Sequence, residues 1–207
     1  MFRPLFFTSF MLADQVVDNG FYGAGQLLVS SASSKTAYAA ALQLHGTGPR
    51  LIGLTSPGNV AFTRSLGCYD EVIAYDDLGQ VARTPAVYLD LSGAPATRAG
   101  LRDRLGDLLV RDIAVGLTTQ VPNAAAAGEV FFAPVQMRKR RQDWGRDGLD
   151  QRFAEAWQTF LGTATSAVDV KVGHGPEALR ETWLTVLNGE AAPRTGHVVQ
   201  LDPERDA

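Results

Sequence analysis

Between residues 26 and 115 the chain alternates short apolar runs with helical segments, and this alternation constrains the fold more than any other feature. Residues 26–30, 50–55, 71–75, 86–91 and 108–115 read as strands, rich in Leu, Ile and Val. Residues 35–45, 60–66 and 97–105 read as helices, and Gly46 and Gly67 close the first two. Strands separated by helices pair in parallel and are buried on both faces. Right-handed crossovers then place helices above and below the sheet. The expected fold class is therefore α/β: a Rossmann-type, doubly wound, mostly parallel sheet with helices on both faces. A helix over 6–18, stopped by Asn19-Gly20, precedes the first strand.

The second half is less regular. Residues 123–128 read as an alanine-rich loop and 130–134 as a short strand. A basic run, Arg138-Lys139-Arg140-Arg141, lies within 135–144, and Phe153, Trp157 and Phe160 recur at helical spacing within 149–161, as a core stripe does. A strand over 168–172, a helix over 176–187 and a last strand over 197–201 follow, with a polar tail over 202–207. No repeat or low-complexity linker divides the chain, so residues 1–207 read as one domain.

Composition narrows the function classes. At 45% hydrophobic and 20% charged, the 207 residues suit one soluble core. A net charge of -3 argues against nucleic acid and against anionic membrane surfaces as partners. The longest apolar run, 37–44, is interrupted by Gln43 and is too short to span a bilayer. The single Cys68 rules out an internal disulfide and reads as a buried small hydrophobe, so the expected location is cytoplasmic. One Cys and the dispersed His45, His174 and His197 offer no metal-ligand spacing, so no metal is expected.

The first strand-to-helix turn carries the chemistry. A dinucleotide turn needs three small residues: for the tight bend, for approach of the pyrophosphate, and for helix–strand packing. Ser31, Ser34 and Ala37 stand at those spacings. Ser34, in the middle place, puts a side chain where the diphosphate approaches. The hydroxyls of Ser33, Ser34 and Thr36, with the helix N-terminus and Lys35, can in return bind phosphate themselves. The competing reading is a plain helix cap at Ser33 or Ser34. A Walker A loop does not fit, because Val29 and Ser34 occupy two of its glycine places.

Wider pattern adds a resemblance. The stretches "LLVSSASSKTAYAAALQL", "RLIGLTSPGNVAFTRSLGCYDEVIAYDDL" and "AVYLDLSG", with the tail "VLNGEAAPRTGHVVQL", resemble the cofactor-binding domain of the medium-chain dehydrogenase/reductase superfamily, quinone-oxidoreductase branch. The Gln43-Leu44 helix end, the Thr55-Ser56 strand end, the helix over 62–67 and the strand over 72–75 carry it. Together with "RPLFFTSF" and "FFAPVQMRKRRQDWG", the chain is most similar to a branch described only as a domain of unknown function. That resemblance implies an NAD(P)(H)-dependent, zinc-independent oxidoreductase acting on a carbonyl or activated double bond. It also implies a preceding GroES-like domain that this chain lacks. The alternative is a non-catalytic cofactor-binding or subunit-interaction remnant. A small-molecule substrate is expected, and either a homo-oligomer or a separate catalytic-domain partner is open.

The end of the second strand bears on cofactor choice. NAD-specific sites place a carboxylate there for the ribose 2'-hydroxyl. Here the run is Thr55-Ser56-Pro57-Gly58-Asn59, without a carboxylate, so NADP(H) is favoured over NAD(H). Ser56 and Asn59 are candidate donors, and Lys35, Arg50 or Arg64 candidate charges. Tyr75 stands where the resemblance implies adenosine packing. Asp90 at the end of the fourth strand, Ser92 and Gly93 after it, and Gly116 and Thr118 after the fifth, lie on the rim where open α/β sheets bind ligands. Phe131 and Phe132 read either as a pocket wall or as a core strand. The basic run reads either as a solvated helix face or as an anion contact. No catalytic acid stands out among Tyr75, Lys139 and His197.

Overall fold

The structure is a computed structural model that describes residues 2–115 and 129–201. Helix α1 (Arg3–Asp18) begins earlier than the apolar spacing indicates, because Pro4 is tolerated in a first turn whose N–H groups have no intrahelical acceptor. Strands β1 (Gln26–Val29), β2 (Arg50–Thr55), β3 (Glu71–Ala74), β4 (Ala86–Asp90) and β5 (Leu109–Val115) follow the expected order. Between them lie α2 (Lys35–Leu44), α3 (Val60–Ser65) and α4 (Pro95–Leu105). The short run before Pro134 is a sixth strand, β6 (Glu129–Phe131), ending before Phe132. The alanine-rich loop over 123–128 lies outside the described residues.

All pairings in this sheet are parallel, in the order β3-β2-β1-β4-β5-β6. The strand order reverses between β1 and β4, so the loops leaving these two strands diverge and open a crevice. β1 and β4 are buried along their whole length, as parallel strands covered on both faces must be. One face is filled by Leu28, Ile52, Leu54, Ile73 and Tyr88, against Leu101 and Leu105 of α4. The intervening residues Leu27, Val29, Leu51, Val87 and Leu89 point to the other face, where the right-handed rule places α2 with α1 packed on it. Gly53 lies on that face. A Cβ there would stand 3.0 Å from both the Ala32 Cβ and the Tyr69 ring, so the β1–α2 turn rests directly on β2.

Helix α5 (Ala133–Ala167) joins the two helical segments that the sequence separates, and it is broken at Gly145, where φ is 71° and ψ 173°. The basic run does not form a wholly solvated face. Arg140 is buried and bonds Asp14, Asp18 and Asp143, and Lys139 pairs with Asp18 and Asp143, while Arg138 and Arg141 are exposed. Phe153 packs its ring at tilted or edge-on angles against Phe6, Phe7 and Phe10, and Trp157 packs edge-on against Phe6.

The chain divides into two compact units, Phe2–Gln158 and a smaller one from Thr159 onward. In the smaller unit β7 (Asp169–His174) and β8 (Thr195–Gln200) form a separate parallel pair, joined by α6 (Gly175–Leu187). The last strand thus starts two residues earlier than its apolar residues suggest.

Candidate cofactor site at the strand ends

Because β1 to β4 run in parallel, their carboxyl ends share one rim, and most of the residues singled out from the sequence collect there. Ser31 leaves β1 with φ 52°, the left-handed conformation that a glycine would adopt without steric cost. Two bonds hold it. Its N–H donates to the Tyr75 hydroxyl at 2.7 Å, and its carbonyl accepts from the Ser34 N–H at 2.7 Å. Ala32 continues the turn, its N–H bonded to the Leu54 carbonyl and its carbonyl to the Tyr69 hydroxyl.

Ser34 caps α2. Its Oγ accepts the Ala37 N–H at 3.3 Å, satisfying one of the N–H groups a helix start leaves over. The side chain is therefore folded onto the helix end and does not stand out into the space ahead of it. Cap and anion site are compatible at this position. Lys35 opens the helix half-buried, and burial lowers its ammonium pKa. The Thr36 carbonyl accepts from the Ser9 hydroxyl of α1 at 2.8 Å, tying the turn to the preceding helix.

Ser33, Thr55 and Asn59 form a second cluster. The Ser33 hydroxyl, nearly buried, accepts from Thr55 Oγ1 and Asn59 Nδ2, both at a long 3.4 Å. Ser56 is exposed and its carbonyl accepts the Asn59 N–H. The candidate charges Arg50 and Arg64 are engaged elsewhere: Arg50 pairs with Glu71 at 3.0 Å, and Arg64 reaches the Val72 carbonyl. Asp76 and Asp77 are exposed in the turn after β3 and supply negative charge to the rim loops. The hydroxyls and the α2 N-terminus, with the Lys35 ammonium beside them, supply the attraction for an anion at the turn.

Tyr75 follows β3 and reaches along the rim to the Ser31 amide. Burial, the largest influence, raises its phenol pKa. Asp90, at the end of β4, is 2% exposed and organises the crevice. Its Oδ1 accepts from Ser30 Oγ, Tyr88 Oη, Ser92 Oγ and the N–H groups of Ser92 and Gly93, between 2.9 and 3.1 Å. Its Oδ2 pairs with Arg98 of α4 at 2.9 Å, and Arg98 also pairs with Asp112 of β5. Gly93, with φ 63°, closes the turn that these bonds hold. The Ser30 hydroxyl accepts from the Leu91 and Ser92 N–H groups, so β1 and β4 are stitched together where they diverge.

Ser30, Arg98 and Asp112 escape sequence reasoning. The only signal for Ser30 is a polar residue closing an apolar strand, and the other two come from elements distant in sequence. Gly116 and Thr118 lie outside the described residues. Lys139 is held by Asp18 and Asp143, away from this rim, and His197 belongs to β8 of the smaller unit. Cys68 is fully buried, and its thiol pKa is pushed up to about 12 by burial, as expected of a structural residue. Among the described residues no group of three or more His, Cys, Asp or Glu could hold a metal ion, and no helix is long and apolar enough to cross a membrane.

A parallel sheet of this order, with its crevice beside a strand–serine turn–helix unit, defines the Rossmann-type α/β class. Within that class, the chain belongs to the family described as "Protein of unknown function (DUF2855)", which matches residues 1–192. No curated protein matches it. Among solved structures it is similar to CurA from Vibrio vulnificus in complex with NADPH, at 16% identity and a TM-score of 0.61, covering 95% of this chain and 62% of that one. It is also similar to YhdH of E. coli K-12 with bound NADPH, at 17% identity and 0.56, covering 95% and 61%. The quinone oxidoreductase from Coxiella burnetii aligns at 16% and 0.54, covering 94% and 58%. The chain thus spans about three-fifths of the length of these proteins. These likenesses bear out the fold expected from the sequence.

Proposed function

We propose that this chain binds NADP(H) across the β1/β4 crevice and forms the cofactor-binding part of a zinc-independent oxidoreductase acting on a carbonyl or an activated double bond. The observation that carries the reading is the end of β2. Thr55 and Asn59 meet the Ser33 hydroxyl there, and no carboxylate stands in residues 55–59 to repel a 2'-phosphate. Ser31, Ser33, Ser34, Lys35 and Thr36 would hold the phosphates, with Ser56 and Asn59 donating at the ribose side. Tyr75 would border the adenosine, and Ser92 and Gly93 the path toward the nicotinamide. The fit is chemical: hydroxyls, a helix start and one half-buried ammonium face a ligand that needs donors. Ser34, folded into its cap, leaves the approach open. When bound, the nicotinamide supplies hydride transfer, and the chain's part is to hold and orient it. The NADPH complexes of CurA and YhdH, which share this fold, support the reading.

A second reading is a non-catalytic cofactor-binding or interaction module. Tyr75 favours it: the hydroxyl oxygen accepts the Ser31 N–H and so holds the β1–α2 turn, which is a structural role at the rim. Turnover separates the two. Purified chain is given NADPH and a panel of quinones and enones, and loss of nicotinamide absorbance is followed. Oxidation of NADPH dependent on one acceptor class supports the enzyme. Saturable NADPH binding with no oxidation by any acceptor supports the module.

A further inference from the structure

We propose that a pocket between the start of α1 and the broken helix α5 binds a small amphipathic anion: a carboxylate carrying a medium-length acyl or aryl body. The pocket encloses about 450 Å³, within the range of small-ligand sites. Phe7 of α1 and Met137, Leu149 and Phe153 of α5 make its apolar wall. Arg3, Arg141 and one carboxylate, Asp150, also line it, and all three are exposed.

The break in α5 creates the site. In a straight helix Met137 and Phe153, sixteen residues apart, would be separated by about 24 Å. A compact pocket of about 450 Å³ would not reach both. The Gly145 break turns the two segments toward each other, so residues on either side of it line one concavity with the first turns of α1.

Charge selects the ligand. The basic run divides in two. Lys139 and Arg140 are satisfied by Asp14, Asp18 and Asp143, whereas Arg141 and Arg3 form no ion pair among the described residues. Arg3 lies over the Phe153 ring, 5.7 Å from its centroid, with its charge still open to a partner. Asp150 lies 3.9 Å from Arg146, outside the pocket, which partly offsets its charge. Two guanidiniums against one carboxylate leave the mouth positive above an apolar floor, and the start of α1 adds to the same sign. An anionic head with an apolar body matches both parts. A nucleotide matches them less well, because apart from Arg3, Arg141 and Asp150 the lining offers its base and ribose no polar side chain.

The proposal is independent of NADP(H), so it is tested without cofactor. Octanoate and 1-octanol are titrated calorimetrically into the full chain, the R3Q/R141Q variant and M137W, which fills the floor. Saturable octanoate binding is expected, with octanol at least about tenfold weaker, the loss of one charge-assisted contact. R3Q/R141Q should lose octanoate affinity by a similar factor and bind octanol unchanged. M137W should bind neither, and unchanged far-ultraviolet circular dichroism would show that it is folded. The proposal is overturned if octanoate does not bind, if octanol binds as tightly, or if octanoate affinity survives either variant.

Discussion

Asp90 is the residue on which the rim depends most. Its carboxylate is buried, accepts from both β1 and the β4–α4 turn, and is neutralised by Arg98. Removing one partner of such a pair leaves a buried charge and unpaired donors, a loss of about 3 kcal/mol or more. Asp90→Asn should therefore lower unfolding free energy by at least about 3 kcal/mol in denaturant titration, although the change is nearly isosteric. Ser34 presents the opposite case, a modest local role. Ser34→Ala should cost about 1 kcal/mol, and Ser34→Gly only a few tenths, read from thermal melts. Both residues are conspicuous in the sequence, Ser34 before a helical run and Asp90 at a strand end. Only the cap is legible there, because capping is decided within three residues. The role of Asp90 depends on Arg98, on Asp112 and on Ser30, and no local pattern brings these together.

Among the elements, α5 shows how one backbone position shapes a surface. Gly145 holds φ 71° and ψ 173°, a region essentially closed to residues with a Cβ. An added Cβ would meet nothing within 4 Å, so the penalty of Gly145→Ala is conformational and not steric crowding by neighbours. The variant should lose about 1–3 kcal/mol in denaturant titration. The order of the central strands is legible because apolar runs and helical spacing alternate cleanly from β1 to β5. β6 is harder to read because it spans only three residues and owes its place to pairing with β5. The register of β7 with β8 is hidden for a related reason: neither strand contains a long apolar run, and each is defined by its partner.

For the whole molecule, the buried acids set an alkaline limit. Burial pushes the Cys68 thiol from 9.0 up to about 12 and the Tyr38 phenol from 10.0 up to about 12. Both keep their protons in the folded chain and release them earlier when unfolded. Their contribution is complete below pH 9 and is lost as pH rises through the interval to about 12. Urea midpoints should fall between about pH 8 and about pH 10.5, and Cys68→Ala should make that fall shallower. An equal slope in the variant would remove Cys68 from this account. At this scale the sheet and its crevice are legible in the sequence, since a single rule of parallel crossovers generates them. The division into two compact units is not, because no composition break marks Thr159.

The proposed site for a 2'-phosphorylated dinucleotide rests on the serine turn and the carboxylate-free end of β2. The direct measurement is a titration of the full chain with NADPH and with NADH, followed by the fluorescence of the reduced nicotinamide at matched ionic strength. Saturable binding of both is expected, tighter for NADPH, with the difference shrinking as salt screens the phosphate. Equal affinities, a preference for NADH, or no binding of either would contradict it, and the last result would leave residues 31–37 as a helix cap and nothing more.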